Sequence, residues 1–189
     1  MVAMLPDPGG REPAPWPLRA VQVFVNTLDT ENGIEELDSP ESLREVLVRI
    51  GVLDEGASLG SRDLEAALEV REALRRLALA NNGLPVDREA TATLERASRA
   101  AQLSLRFDGA RSELVPGAPG VDGALGSLVA IVHAAMLDGS WRRLKACRRD
   151  ICLWLYYDRS RNASSTWCAM SVCGNRTKTR RYRRRHAAA

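Results

Sequence analysis

Apolar residues recur three and four positions apart in two stretches of the sequence, which is the spacing of one buried helix face. In residues 18–28 this face consists of Val21, Phe24, Val25 and Leu28. In residues 61–83 it consists of Ala67, Val70, Leu74 and Leu77, with Leu64 and Leu68 widening the apolar arc. The pattern predicts two amphipathic helices that pack against a common core.

Start and stop signals predict three more helices. Ser39-Pro40 is a typical helix start, because the Ser side chain can cap free N–H groups and Pro fits the first turn. Gly51 is expected to end this helix. A further helix is predicted over residues 87–101, and residues 124–139 are so apolar that they predict a central helix of the bundle.

Alternating apolar and polar residues predict two β-hairpins. The first lies in residues 103–115, around the turn-forming pair Asp108-Gly109. It belongs to a predicted helical domain over residues 17–140. The second begins in residues 151–160, where alternate residues point to opposite faces of a strand. Its faces are Leu153, Leu155 and Tyr157 on one side, and Trp154 and Tyr156 on the other. Residues 161–165 would form the turn and residues 166–170 the second strand.

Residues 1–16 are rich in Pro and Gly and are predicted to be a disordered leader. This segment lacks the basic and apolar regions of a secretory signal. No apolar run reaches the roughly 18 to 20 residues needed to cross a bilayer. We therefore expect a cytoplasmic protein without a membrane partner.

Charge is distributed unevenly along the chain. Residues 141–189 contain fourteen Lys and Arg against two Asp and Glu, whereas residues 1–140 contain thirteen against twenty-two. Such an asymmetry indicates a basic module that binds a partner, most commonly nucleic acid. An intramolecular contact between the two regions is the alternative.

All four cysteines lie in the basic region, as two close pairs separated by a short insert: Cys147, Cys152, Cys168 and Cys173. Such pairs suit tetrahedral Zn²⁺, since each pair can bend the backbone around one edge of the ion. Free thiols and disulfides are the alternatives, and a reducing cytoplasm disfavours disulfides. The spacing predicts one structural zinc, and the nearby Lys145, Arg148 and Arg176 are expected to lower the thiol pKa values.

The predicted elements of residues 141–189 follow the order of a treble-clef-like zinc finger: a cysteine pair, a hairpin, a second pair and a helix. Cys173 would lie at the N-terminus of that helix. The inward stripe of the helix is predicted to be Asn175, Thr179, Tyr182 and His186. The expected fold class is mainly α, with a helical domain that contains a small β-hairpin and a C-terminal four-cysteine zinc finger.

The other faces of this helix are cationic. Its candidate nucleic-acid contacts are Arg176, Lys178, Arg180, Arg181, Arg183, Arg184 and Arg185. These side chains could bind phosphates, and one Arg could bind a guanine edge. A solvated or self-docked basic tail is the alternative.

The helical domain offers little for catalysis, since it has no cysteine, no Gly-rich phosphate loop and one histidine. That residue, His133, lies on an apolar helix and is expected to be a core histidine. Four polar residues could form a buried network, the favoured reading, or line a small-molecule effector pocket: Asn26, Thr27, Arg71 and Arg75. We expect the protein not to be an enzyme.

The C-terminal region resembles the CGNR zinc finger. The similarity covers both cysteine pairs, the Trp167-Cys168 pair, Cys173-Gly174-Asn175-Arg176, and a run that contains Tyr157, Asp158, Ser160, Arg161 and Asn162. Members of this family usually have arginines just before the Trp-Cys pair, whereas this chain has Ser165 and Thr166 at these positions. That departure implies weaker or different binding of nucleic acid, whereas Arg161 is retained as a candidate contact.

Residues 24–30 (FVNTLDT) and 37–53 (LDSPESLREVLVRIGVL) resemble the ABATE domain, which usually precedes this finger in stress-induced transcription regulators. The resemblance implies a bacterial DNA-binding transcription regulator whose helical domain senses an effector or forms a homodimer. The alternative from another functional class is a zinc-stapled module that binds RNA or an acidic protein.

Overall fold

The computed structural model of the protein describes residues 10–179. Its five longer helices are α1 (Leu18–Val25), α2 (Pro40–Arg49), α3 (Ser61–Ala80), α4 (Arg88–Ala100) and α5 (Gly120–Leu137). Its strands are β1 (Leu28–Asp29), β2 (Ile34–Glu35), β3 (Ser104–Asp108), β4 (Arg111–Val115), β5 (Leu144–Ala146) and β6 (Leu155–Tyr157). Helical turns cover Trp141–Arg143 and Met170–Gly174, and a helix over residues 175–179 follows the second turn. The predicted mainly α fold is confirmed.

Helix α3 lies at the centre of the core, where it packs against all four other long helices. The predicted inward residues of α1 and α3 are buried, including Phe24, Val25, Ala67 and Leu74. Leu28 differs from the prediction, because α1 ends at Val25 and Leu28 lies half-buried in β1. The apolar spacing therefore located the core faces but extended the first helix by one turn.

Local capping explains where α2 and α4 begin. The Ser39 hydroxyl accepts a hydrogen bond from the N–H of Ser42, and the Ser42 hydroxyl accepts one from the N–H of Ser39. Pro40 occupies the first turn of α2, as predicted. The Asp87 carboxylate caps α4 by accepting hydrogen bonds from the N–H groups of Glu89 and Ala90. These contacts satisfy donors that a helix start leaves free.

Helix α5 is only partly central. It begins at Gly120, before the predicted start, and its C-terminal end carries four exposed residues, His133, Ala134, Met136 and Leu137. The prediction of a core histidine is wrong, because His133 lies on the solvent side of an otherwise apolar helix. Among the described residues, α5 alone is long and apolar enough to cross a membrane, and 44% of this stretch is buried inside the protein. Buried core helices meet the same criterion.

The predicted β3–β4 hairpin is confirmed, with Asp108 paired to Arg111 across the turn. The second hairpin differs from the prediction. β6 pairs with β5, which precedes the first cysteine pair, and residues 166–169 form no strand. The physical reason is that the segment after β6 is folded around Asp158, whose carboxylate accepts hydrogen bonds from the N–H groups of Ser160 and Ser165.

The β5–β6 hairpin is shared between the helical core and the cysteine region. One face of β6 carries Leu155 and Tyr157 into the helical core, and the other carries Tyr156 toward the cysteines. The alternation of faces predicted from the sequence is therefore confirmed for residues 154–157, whereas Leu153 lies outside the strand. Asn26, at the end of α1, pairs with the backbone of Leu155, with both N···O distances at 2.8 Å. A continuous set of buried contacts thus joins the two regions.

Residues 10–16 of the predicted leader pack against the rest of the protein. The N–H of Ala14 donates to Oε1 of Gln22, and Ala14 is buried. Arg11 lies over the ring of Tyr156 and donates to the carbonyl oxygen of Trp167. This part of the segment is therefore fixed in place, in contrast to the expected disorder, and residues 1–9 lie outside the described residues.

We expect Asn26→Ala to lower the free energy of unfolding by about 2 to 4 kcal/mol, since it leaves the buried N–H and C=O of Leu155 without the Asn26 partner. Chemical denaturation would measure the change. Asn32→Ala is the matched control, because Asn32 is exposed and bonds only within its own turn. Equal effects of the two substitutions would contradict the proposed link between α1 and β6.

Candidate metal centre

Four cysteine sulfur atoms meet in one buried cluster, and all lie within 4.8 Å of one another. Cys147 follows β5, Cys152 precedes β6, Cys168 lies in the loop after β6, and Cys173 lies in the helical turn Met170–Gly174. Within the described residues, the structure thus brings together the four ligands predicted from their spacing.

Backbone hydrogen bonds shape the turns that hold the sulfurs. The N–H of Cys147 donates to the carbonyl oxygen of Trp154, and the N–H of Cys152 donates to that of Arg149, both at 2.9 Å. The N–H of Cys173 donates to the carbonyl oxygen of Ala169 at 3.0 Å. Each cysteine pair is therefore bent around a short turn, as a zinc site requires.

The sulfur spacing fits Zn²⁺. Sγ of Cys152 lies 3.7 Å from Sγ of Cys168, which lies 3.5 Å from Sγ of Cys173. Four sulfurs about 2.3 Å from a tetrahedral ion would lie about 3.8 Å apart. Because all four positions are protein ligands, the zinc is structural, and no position is open for a substrate or for water.

The thiols of the cluster interact strongly. Hydrogen bonds from Cys152 and Cys168 lower the pKa of Cys147 to about 2. The pKa values of Cys152 and Cys168 are raised, first because of their hydrogen bonds with neighbouring thiols and also because of burial. Only a cation lets all four sulfurs ionise in so small a volume, which is the role that the chemistry of this donor set assigns to Zn²⁺.

Within the described part of the chain, a cation that the sequence did not predict contacts the cluster. Nη1 of Arg149 lies 3.8 Å from Sγ of Cys173 and 2.7 Å from Oε2 of Glu31, which belongs to the turn between β1 and β2. The hydrogen bond that Arg149 donates to Glu31 raises the pKa of Arg149. Arg148, by contrast, is exposed. The sequence signal for Arg149 was its place inside the first cysteine pair.

Lys145 also does not act as a cationic partner of the thiols. Its Nζ lies 2.9 Å from Oδ2 of Asp158 and also donates to the carbonyl oxygens of Ala163 and Ser165. Both side chains are almost fully buried. Burial by itself raises the pKa of Asp158, but hydrogen bonds from Ser160 and Lys145 hold it below its usual value. This ion pair fixes the loop between β6 and Cys168.

The candidate nucleic-acid contacts that the structure describes are all exposed: Arg161, Arg176 and Lys178. Arg180, Arg181, Arg183, Arg184 and Arg185 lie outside the described residues. The predicted inward stripe is wrong in its described part, because Asn175 and Thr179 are exposed. Thr177 is half-buried instead, and its hydroxyl donates to the carbonyl oxygen of Cys173. Tyr182 and His186 also lie outside the described residues.

The four residues proposed for a buried network or an effector pocket lie close together and form hydrogen bonds with other groups of the protein. Arg71 donates to Thr27 Oγ1 and, through two nitrogens, to the Glu35 carboxylate. Arg75 donates to the carbonyl oxygens of Val25 and Leu153 at 2.7 and 3.1 Å, and burial lowers its pKa. These contacts favour the structural network over a preformed pocket.

Comparison with known proteins gives two family matches. Residues 18–139 match the family described as "Putative stress-induced transcription regulator", ABATE. Residues 143–186 match the CGNR zinc finger. A search of curated proteins found no match. The first match spans more than half of the chain, and the second contains all four cysteines of the cluster.

We expect the purified protein to contain about one zinc per chain. Cys173→Ser should reduce the zinc content and lower the melting temperature of the whole molecule, because the β5–β6 hairpin that carries the first two ligands also forms part of the helical core. Metal analysis and circular dichroism would measure both effects. Ser171→Ala, at an exposed position of the same turn, is the control. A zinc-free native protein would contradict the assignment.

Asp158→Asn should destabilise the protein by about 3 to 5 kcal/mol at pH 7, because it leaves the buried Lys145 charge unpaired. The carboxylate stabilises the fold above the ordinary Asp pKa of about 4, and this contribution is lost as the pH falls through the lower value in the folded protein. The deficit of the variant should therefore shrink in acid. Asp108→Asn, on the exposed hairpin, should change stability by less than about 0.5 kcal/mol.

Proposed function

Because the chain belongs to the ABATE family and carries a CGNR zinc finger after that domain, we propose that it is a zinc-dependent DNA-binding protein that regulates transcription. One observation carries the proposal. The most basic segment of the chain begins as a helix directly after the ligand Cys173, with Arg176 and Lys178 exposed on its first turns. A helix anchored at a metal centre presents its cations to phosphates from a fixed position.

The charge of the finger supports this function. Residues 141–189 contain only two acidic residues, Asp150 and Asp158. Asp158 is buried and paired with Lys145, so it subtracts little from the positive surface. Seven of the ten residues from 176 to 185 are Lys or Arg. Such a density of positive charge suits a polyanion, and the first contacts would be to phosphates rather than to bases.

We assign the helical domain to dimerisation or to the sensing of a small-molecule effector. Dimerisation is favoured by exposed apolar side chains on the β3–β4 hairpin and on α5: Leu105, Phe107, Met136 and Leu137. For sensing, the candidate site is the buried network around Arg71 and Arg75, which lies between α1, α3 and the finger. We propose that the protein is not an enzyme and that it acts in the cytoplasm, where the thiolate ligands remain reduced.

We expect the zinc-loaded protein to bind duplex DNA of mixed sequence with strong salt dependence. If the helix neutralises about five phosphates, the logarithm of the affinity should fall with the logarithm of salt concentration at a slope of about −4 to −5. Lys178→Gln should make this slope shallower by about 1. Fluorescence anisotropy at several salt concentrations would measure both. Arg99→Gln, which removes an exposed charge from α4, is the matched control.

The outcomes separate the proposed function from its alternative. Selection of bound sequences from a random DNA pool would distinguish specific from non-specific binding. Absence of DNA binding at about 50 mM salt, combined with binding to RNA or to an acidic protein, would support an interaction module instead. A salt-insensitive complex with DNA would contradict the role given to the cationic helix.

A further inference from the structure

The turn between β1 and β2 brings a residue of the helical domain against the metal centre. Its backbone is fixed by Asp29, whose Oδ1 accepts hydrogen bonds from the N–H groups of Glu31 and Asn32 at 3.0 Å. The hydroxyl of Thr30 donates to the carbonyl oxygen of the zinc ligand Cys152 at 2.6 Å. The position of Glu31 is thus set both by its own turn and by the finger.

The Glu31 carboxylate binds two arginines of the finger. Oε2 lies 2.7 Å from Nη1 of Arg149, and Oε1 accepts a hydrogen bond from Nη1 of Arg176. Arg149 also contacts Sγ of Cys173. The side chain of Arg149 is 15% exposed and that of Glu31 is 22% exposed, whereas that of Arg176 is 58% exposed. One carboxylate therefore connects the buried metal centre with the exposed start of the cationic helix.

This arrangement has an electrostatic consequence for any polyanion that approaches the helix. The three side chains carry a combined charge of +1 rather than the +2 of the two arginines by themselves. A phosphate that binds Arg176 must approach the Glu31 carboxylate, which repels it, or must displace that carboxylate from the guanidinium. Because Arg176 is largely exposed, its ion pair with Glu31 is weak enough for such an exchange.

We propose that Glu31 limits the affinity of the finger for DNA by occupying Arg176, which would otherwise bind phosphate. The helical domain thereby restrains the nucleic-acid surface through a single carboxylate. Arg176 can bind a phosphate only after its ion pair with Glu31 has broken. This inference rests on the proposed DNA binding and adds the residue that regulates it.

The test compares the zinc-loaded wild-type protein with Glu31→Gln on the same mixed-sequence duplex. Gln keeps the size of the side chain and removes its charge. We expect Glu31→Gln to bind about three- to tenfold more tightly and with a salt slope steeper by about 1, because one further phosphate is neutralised. Zinc content and melting temperature identify a variant whose finger has been disturbed.

Glu12→Gln is the matched control, because Glu12 also pairs with an arginine of the finger, Arg159, at 3.0 Å. It produces the same change in net charge, so its effect measures the general gain from removing one acid. Repeating Glu31→Gln in an Arg176→Gln background completes a double-mutant cycle. We expect most of the gain to be lost there, since the released guanidinium is absent.

Three results would overturn the inference. Equal effects of Glu31→Gln and Glu12→Gln would show that only net charge matters. Weaker binding by a zinc-loaded Glu31→Gln protein would show that Glu31 holds the helix in its binding position. Failure of every protein, wild type included, to bind DNA would overturn the proposed function and this inference with it. If the inference alone fails, the result is different: the wild type still binds DNA, but Glu31→Gln gives no specific gain in affinity.

Discussion

Four cysteine sulfurs in one buried volume are the constraint on which the finger depends. Thiolates can lie within 4.8 Å of one another in a protein interior only if a cation balances them. Zn²⁺ with four thiolates still carries a net charge of −2, which explains why Arg149 lies against Cys173. The same sulfurs join three segments of the chain: the turn between β5 and β6, the loop after β6 and the start of the cationic helix. Metal binding and the folding of this region are therefore one process.

The constraint extends into the helical domain because β6 belongs to both regions. Leu155 lies in the helical core, and Asn26 satisfies both of its backbone groups. Arg75 adds a hydrogen bond to the carbonyl oxygen of Leu153, one residue after the ligand Cys152. A small zinc module cannot bury enough apolar surface by itself. Here the deficit is met by the core of the preceding domain.

Regular patterns in the sequence predicted the parts of the molecule that depend on regular spacing. The buried faces of α1 and α3, the cysteine cluster and the burial of Arg71 and Arg75 all follow from periodicity or from pair spacing. The partner of β6 could not be predicted, because alternation identifies a strand but not its partner, and β6 pairs with residues before the first cysteine. Lys145 was misassigned for a related reason. Proximity to Cys147 in sequence suggested a thiol partner, whereas strand geometry places the side chain against Asp158. The role of Glu31 had no sequence signal, since it depends on a contact across the fold.

Two of the routes by which contacts link the helical domain to the metal centre differ in physical character. The route through Asn26 and Leu155 is buried and part of the fold, so it cannot open without loss of stability. The route through Glu31 is partly exposed and electrostatic, so a change there costs little. Arg71 contacts both ends of the β1–β2 hairpin, whose turn carries Glu31. It donates hydrogen bonds to Thr27 before β1 and to Glu35 in β2. Arg71 is itself buried, so this support belongs to the fold, whereas the exposed pairing of Glu31 with Arg176 can exchange at little cost in stability.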